Sequence, residues 1–185
     1  MTTREQSFTL EEFEAFIARE ERREHRFELV DGHIIEKTMP TEEHGAIAAL
    51  VMARFVVYLE SQGVRGRVVA EGLFRPAGDA RNVRLPDVGV VLGDRPLTTQ
   101  GIAEFIPDIC IEILSPGDPL KQARDKLHFY LSHGAHFALL VRPRRRMVEI
   151  YPAEGDYEFL TTEDTLTFGE LLPGFNIAVS RLFPA

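Results

Sequence analysis

Two acidic residues stand where the surrounding pattern calls for apolar side chains. Asp87 lies in Leu85-Pro-Asp-Val-Gly-Val-Val-Leu92, and Glu112 in Ile109-Cys-Ile-Glu-Ile-Leu114. A lone carboxylate in a buried strand costs several kcal/mol unless it is paired or bound to a cation. Two of them in neighbouring strands, both near Pro or Ser-Pro boundaries, point to a shared hard divalent cation such as Mg²⁺. Asp87 read alone also fits a turn cap after Pro86. Glu112, with Ile on both sides, has no such simple reading. Metal-assisted hydrolysis needs a positive group beside the metal to orient a water and offset developing negative charge. Lys126 is the candidate: it falls beside Tyr130 on the flank of a helical apolar stripe, so its stem can cover core while its ammonium reaches the sheet edge. Read alone it is a solvated helix residue, or a partner of Asp125 or Gln122.

His44 falls on the apolar side of a helix near its N-terminus, where it could bond a phosphate or a metal-held water, or else pack or cap. Glu28 and Glu71 are outer candidates for the same site, or solvated strand-edge glutamates. Arg142, Arg144, Arg145 and Arg146 form the one strong basic cluster. They read either as a solvated turn or as a contact to a phosphate backbone. Ser115 lacks the glycines of a nucleophile elbow, Cys110 has no visible activator and reads as core, and no glycine spacing suggests a nucleotide cofactor.

The elements that must place these residues follow from periodicity and turn signals. A helix is expected from about Thr9 to Arg23, with Thr9 and Glu12 at capping-box spacing. Asp31-Gly32 predicts a hairpin joining Arg26–Val30 to His33–Lys37. A second helix covers about Glu42–Gln62, with Ile47, Leu50, Val51, Phe55, Tyr58 and Leu59 on one side. Val68–Glu71 and Leu73–Arg75 read as strand segments broken at Gly72, while Leu85–Leu92 and Ile109–Leu114 read as buried strands. A third helix begins with Asp118 as N-cap and Pro119 at its first position, and stops at His133-Gly134. His136–Val141 and Met147–Tyr151 pair across Arg142–Arg146, Tyr157–Leu160 adds a strand, and the tail reads as irregular structure or a short turn. Hairpin connections combined with one crossover give an α+β fold, or α/β with a mixed sheet.

Composition narrows the class. The 185 residues predict one domain, with its core at about 26–151. The 21 basic and 29 acidic side chains leave a net charge of −8, so any grip on nucleic acid must be local rather than global. One cysteine excludes an intrachain disulfide and a cysteine-rich zinc site. The continuous apolar runs are too short to span a bilayer, and Met1–Gln6 does not open like a secretory signal, so a cytoplasmic protein with no membrane partner is expected.

Pro86-Asp87, Glu112 in Ile-Glu-Ile-Leu-Ser-Pro, Asp125-Lys126 with Tyr130, His133-Gly134 and a closing Leu-Leu-Val strand together resemble a bacterial family of restriction-endonuclease-like proteins. That family belongs to the PD-(D/E)XK nuclease superfamily. The similarity runs from about Phe27 to Tyr151 and includes Phe27-Glu-Leu-Val-Asp-Gly32 and Pro40 with His44. The resemblance implies a mixed sheet flanked by helices and metal-dependent phosphodiester hydrolysis on DNA. Asp87 and Glu112 would hold Mg²⁺, with Mn²⁺ as a substitute, and His44 would be an accessory. The motif lysine would stand two residues after the glutamate, where this chain has Leu114. Either Lys126 supplies the amine from the helix, or the fold is catalytically impaired and serves as a binding module. Cutting both strands of a duplex takes two sites, which makes a homodimer the expected assembly.

Overall fold

The computed structural model describes residues 7–22 and 24–184, so Met1–Gln6 and the expected helix end at Arg23 lie outside the described residues. The chain divides into two compact units. One comprises residues up to Met39 with Leu73–Leu85 and Thr98–Phe105; the other comprises Pro40–Gly72, Pro86–Leu97 and the chain from Ile106 onward.

In the first unit, α1 (Leu10–Ile17) starts with the expected capping box: Thr9 Oγ1 accepts from Glu12 N–H while Glu12 accepts from Thr9 N–H. It ends well short of Arg23, and a single 3-10 turn follows at Glu20–Arg22. Ala18–Arg22 offers no large apolar side chain to bury, so nothing pays for the next turns of helix. Strands β1 (Phe27–Val30) and β2 (His33–Glu36) form the predicted antiparallel hairpin. Asp31 and Gly32 both take positive φ, 51° and 84°, as the tight turn demands. The expected strand at Leu73–Arg75 is reduced to isolated bridges from Phe74 to Arg84 and Ala103. Phe13, Phe27, Leu29, Val83 and Ile102 make this unit's core.

The second unit is built on six strands: β3 (Gly66–Ala70), β4 (Val88–Leu92), β5 (Ile109–Ile113), β6 (Phe137–Arg142), β7 (Met147–Pro152) and β8 (Glu158–Leu160), in that spatial order. Only β5 and β6 are parallel, joined by the crossover helix α3 (Leu120–Ser132); every other pairing is antiparallel. The mixed sheet expected from the sequence is therefore present. All five residues of β5 are buried, which accounts for its unbroken apolar look apart from Glu112. β4 begins at Val88, three residues later than expected, because the Leu85-Pro86 segment does not join the ladder.

Helix α2 (Glu42–Gln62) is capped by Thr41, whose hydroxyl accepts from His44 N–H at 3.2 Å, and ends at Gly63 in the left-handed region. It is long and apolar enough by length and composition to cross a membrane, although charged residues interrupt its apolar run. Here one face of it buries Ile47, Val51, Phe55, Tyr58 and Leu59 in a core with Val88, Ile109, Ile111, Leu139 and Val148. The tail is not irregular. Residues Thr165–Phe168 (β9) and Leu172–Ala178 (β10) form a bulged antiparallel hairpin. Phe175 stacks on Phe55, Phe168 packs against it at a tilt, and Tyr58 donates to Pro173 O at 2.8 Å. Apolar spacing in the tail was interrupted by Pro173-Gly174, which the bulge accommodates. One further correction concerns α3. Its N-cap is Pro119, without a side-chain cap bond, because the Asp118 carboxylate instead accepts from Ser115 N–H at 3.0 Å and closes the turn before the helix.

Candidate active site

The site grows out of the end of the sheet where β4 begins and β5 finishes. Val88 pairs with Ile111, and the same register sets Asp87 opposite Glu112. Asp87 stands one step before the first residue of β4, and its carboxylate reaches β5 through Ile113 N–H, so the two carboxylates predicted to act together lie at the same end of the β4–β5 pair. Asp87 is 4% exposed and Glu112 6%, too buried for either to be a solvated edge residue.

Donors converge on each carboxylate. Asp87 Oδ2 accepts from Ile113 N–H at 2.7 Å, which ties the side chain across to β5, and lies 3.1 Å from His44 Nε2. His44 is buried in the first turn of α2, so the expected accessory histidine is delivered to the aspartate. Glu112 Oε1 lies 2.8 Å from Lys126 Nζ and accepts from Tyr130 OH at 2.7 Å. Lys126 and Tyr130 are four residues apart and share one face of α3. The crossover from β5 through α3 returns that face to the strand that carries Glu112. Lys126 does not pair with Asp125, which instead bonds Lys121 on the exposed side.

The outer candidates fare differently. Glu28 belongs to the first unit, where its carboxylate accepts from Leu85 N–H at 2.8 Å. Glu71 has an exposed side chain and a positive φ of 50°, unusual for glutamate, and its N–H donates to Asp87 O at 3.3 Å. Its backbone therefore borders the aspartate. Cys110 is buried beside Pro107 O, and its thiol is pushed well above its usual pKa by burial, with Glu112 and Asp108 adding to the effect. It is core, as expected.

Two features escaped the sequence reading. Tyr130 is expected beside Lys126 and within the family-like motif but with no role for its hydroxyl, although a tyrosine buried at 0% exposure needs a partner for it. Glu149 was not singled out at all. It is fully buried and accepts from Arg124 Nε and Nη2, Arg142 Nη1 and Tyr151 OH, each at 2.9 Å. Flanked by Val148 and Ile150, it has the alternation of an ordinary half-exposed strand, and only the covering helix makes it interior.

The chemistry of the donor set fits a hard cation. Mg²⁺ is commonly held by one or two carboxylates together with substrate phosphate and water, and Asp87 and Glu112 supply two. No cluster of three or more His, Cys, Asp or Glu side chains suited to a metal occurs among the described residues. An all-protein cage, of the kind Zn²⁺ or Ca²⁺ takes, is thus absent there.

The fold is restriction-endonuclease-like. Residues 10–180 match the Uma2 family, described as putative restriction endonuclease, and the chain belongs to that family. Its fold is similar to the crystal structure of a putative nuclease of DUF820 from Anabaena variabilis ATCC 29413. The TM-score is 0.80 at 24% identity, over 95% of this chain and 97% of that one. A search of curated proteins gives no match.

Proposed function

We propose that the protein is a Mg²⁺-dependent endonuclease that hydrolyses DNA phosphodiester bonds. The observation that carries this reading is the convergence of Lys126 and Tyr130 on Glu112, with Asp87 opposite it in the sheet register. Asp87 and Glu112 would hold the metal, with Mn²⁺ as a substitute. When bound, such a cation lowers the pKa of a water and neutralises charge on the scissile phosphate.

The chain's own residues do the rest. Ile113 N–H and His44 fix the Asp87 carboxylate. Tyr130 holds Glu112 in one orientation through a donated hydrogen bond. Lys126 keeps an ammonium at the glutamate, where it counters the negative charge that develops on the phosphate and can orient the attacking water. This supplies from a helix the positive group that Leu114, at the usual motif position, cannot. A duplex cut on both strands requires two such sites, so the working assembly proposed is a homodimer in the cytoplasm.

The test is cleavage of supercoiled DNA with and without Mg²⁺. Wild type should nick or linearise it only with the metal, and Asp87→Ala should abolish cleavage while leaving the circular-dichroism spectrum unchanged. Undiminished cleavage by Asp87→Ala would remove the assignment. Absence of cleavage in the wild type, with the fold intact, would favour the rival reading of a binding module that has kept the nuclease fold.

A further inference from the structure

The four arginines of the β6–β7 connection are not equivalent. Arg142 is held by buried Glu149 at 2.9 Å. Arg146 takes a left-handed backbone conformation, bonds Pro184 O at 3.4 Å and lies over the Phe183 ring. Arg144 and Arg145, in the short 3-10 turn that begins at Pro143, are exposed, and neither side chain makes an ion pair or hydrogen bond with a described residue. Two arginine side chains are thus presented to solvent on a turn that is anchored at both ends.

With the β5–α3 connection, Leu114–Asp118, they line a cleft of about 320 Å³. Leu114 stays beside β6, its N–H donating to Val141 O at 2.9 Å, and follows Glu112 by two residues, roughly 7 Å along an extended chain. Glu43, the neighbour of His44, closes another side. The cleft therefore adjoins the Asp87–Glu112 site on the same unit. Guanidinium groups match phosphate oxygens in a two-pronged geometry that no other side chain offers. On a chain of net charge −8, such a patch is where an anion would be held. Asp118, which accepts from Ser115 N–H, and Glu43 also line the cleft as carboxylates, so an anion is favoured only at the arginine residues Arg144 and Arg145.

We propose that this cleft seats a phosphodiester of the bound DNA strand beside the one to be cut, gripped by Arg144 and Arg145; the choice of DNA rests on the nuclease reading above. These two side chains position the strand and take no part in bond cleavage.

The experiment is fluorescence anisotropy with a labelled DNA duplex and the full chain, at several salt concentrations, in EDTA and again in Ca²⁺. Wild type is compared with Arg144→Ala/Arg145→Ala, with the corresponding double lysine variant, and with Arg181→Ala as an exposed arginine outside the cleft. The double alanine variant should bind roughly 10- to 100-fold more weakly, with the slope of log K against log salt reduced by about 2. The lysine variant should recover most of that slope, and Arg181→Ala should leave affinity unchanged. Equal affinity and slope for wild type and the double alanine variant overturns the proposal, as does failure of the wild type to bind in either buffer. Mg²⁺ titration separates the two readings. Arginine-dependent binding without metal binding leaves the cleft assignment standing and removes the nuclease, whereas cleavage indifferent to both arginines does the reverse.

Discussion

Two buried carboxylates lie in one row across the same sheet under the same helix, and their surroundings differ in a telling way. Glu112 pairs in register with Leu140, and Leu140 with Glu149. Helix α3 sends Lys126 and Tyr130 to the first glutamate and Arg124 to the second. At Glu149 every donor is built to stay. Arg124 binds both oxygens in a fork, Arg142 adds a second permanent cation from the end of β6, and Tyr151 completes the set. Burial alone would raise the Glu149 carboxyl pKa, but the bonds from Arg124, Tyr151 and Arg142 outweigh it and hold the group below its ordinary value. That glutamate is an anion locked in place, clamping α3 to the β6–β7 hairpin. At Glu112 the cation is a lysine, a point charge on a flexible stem that can be re-aimed when another cation arrives. A saturated carboxylate serves structure; one held by lysine and tyrosine beside a second carboxylate suits chemistry.

The widest separation between the two regions should come from parallel substitutions. Lys126→Ala should lower the DNA cleavage rate on the order of 100-fold or more and, because Glu112 keeps the bond from Tyr130, should lower stability by less than the loss of Glu149 does. Glu149→Ala leaves two arginines facing a buried gap and should cost about 3–5 kcal/mol of stability, measured by urea unfolding. If Lys126→Ala proves the more destabilising, the contrast fails.

The pH dependence of stability sharpens the same contrast. Glu149, with its folded pKa lowered, contributes stability above its unfolded value of about 4.3, and this is lost as pH falls through the lower folded value. Tyr151 is pushed up to about 12, by burial first and then by its bond to Glu149. Its contribution is complete below the unfolded value of about 10 and disappears as pH rises towards 12. Thermal melts across pH should therefore fall at both extremes in the wild type, and Tyr151→Phe should flatten the alkaline limb while costing about 1 kcal/mol at neutral pH. A fall at the alkaline end that Tyr151→Phe leaves intact would place its cause elsewhere. The smallest effect concerns Cys110. With its pKa raised by burial, the thiol should resist alkylation in the folded protein and react only on unfolding, so rapid labelling under native conditions would show that β5 opens.

Legibility in the sequence followed how local each cause was. The hairpin at Asp31-Gly32, the capping box at Thr9 and the mixed sheet are written in short-range spacing, and the structure has them. Asp87 and Glu112 were legible because an acid inside an apolar run is conspicuous, and Lys126 because helix periodicity placed it beside Tyr130. Glu149 was hidden because alternation with Val148 and Ile150 is what a solvated strand face also shows; only the arrival of Arg124 from α3 distinguishes the two. The tail hairpin was missed because Pro173-Gly174 looks like a break when the bulge that absorbs it depends on packing against Phe55 and Tyr58. The early end of α1 follows from the lack of a tertiary partner, which spacing within the helix does not reveal.

The most direct measurement is calorimetric titration of Mg²⁺ and Mn²⁺ into the wild type, Glu112→Gln and Glu149→Gln. A cation bound by Asp87 and Glu112 should give saturable heat in the millimolar range for the wild type, lost in Glu112→Gln and kept in whatever fraction of Glu149→Gln is folded. Absence of binding in the wild type, or binding that survives Glu112→Gln unchanged, would make Glu112 a second structural acid and contradict the division between the two glutamates.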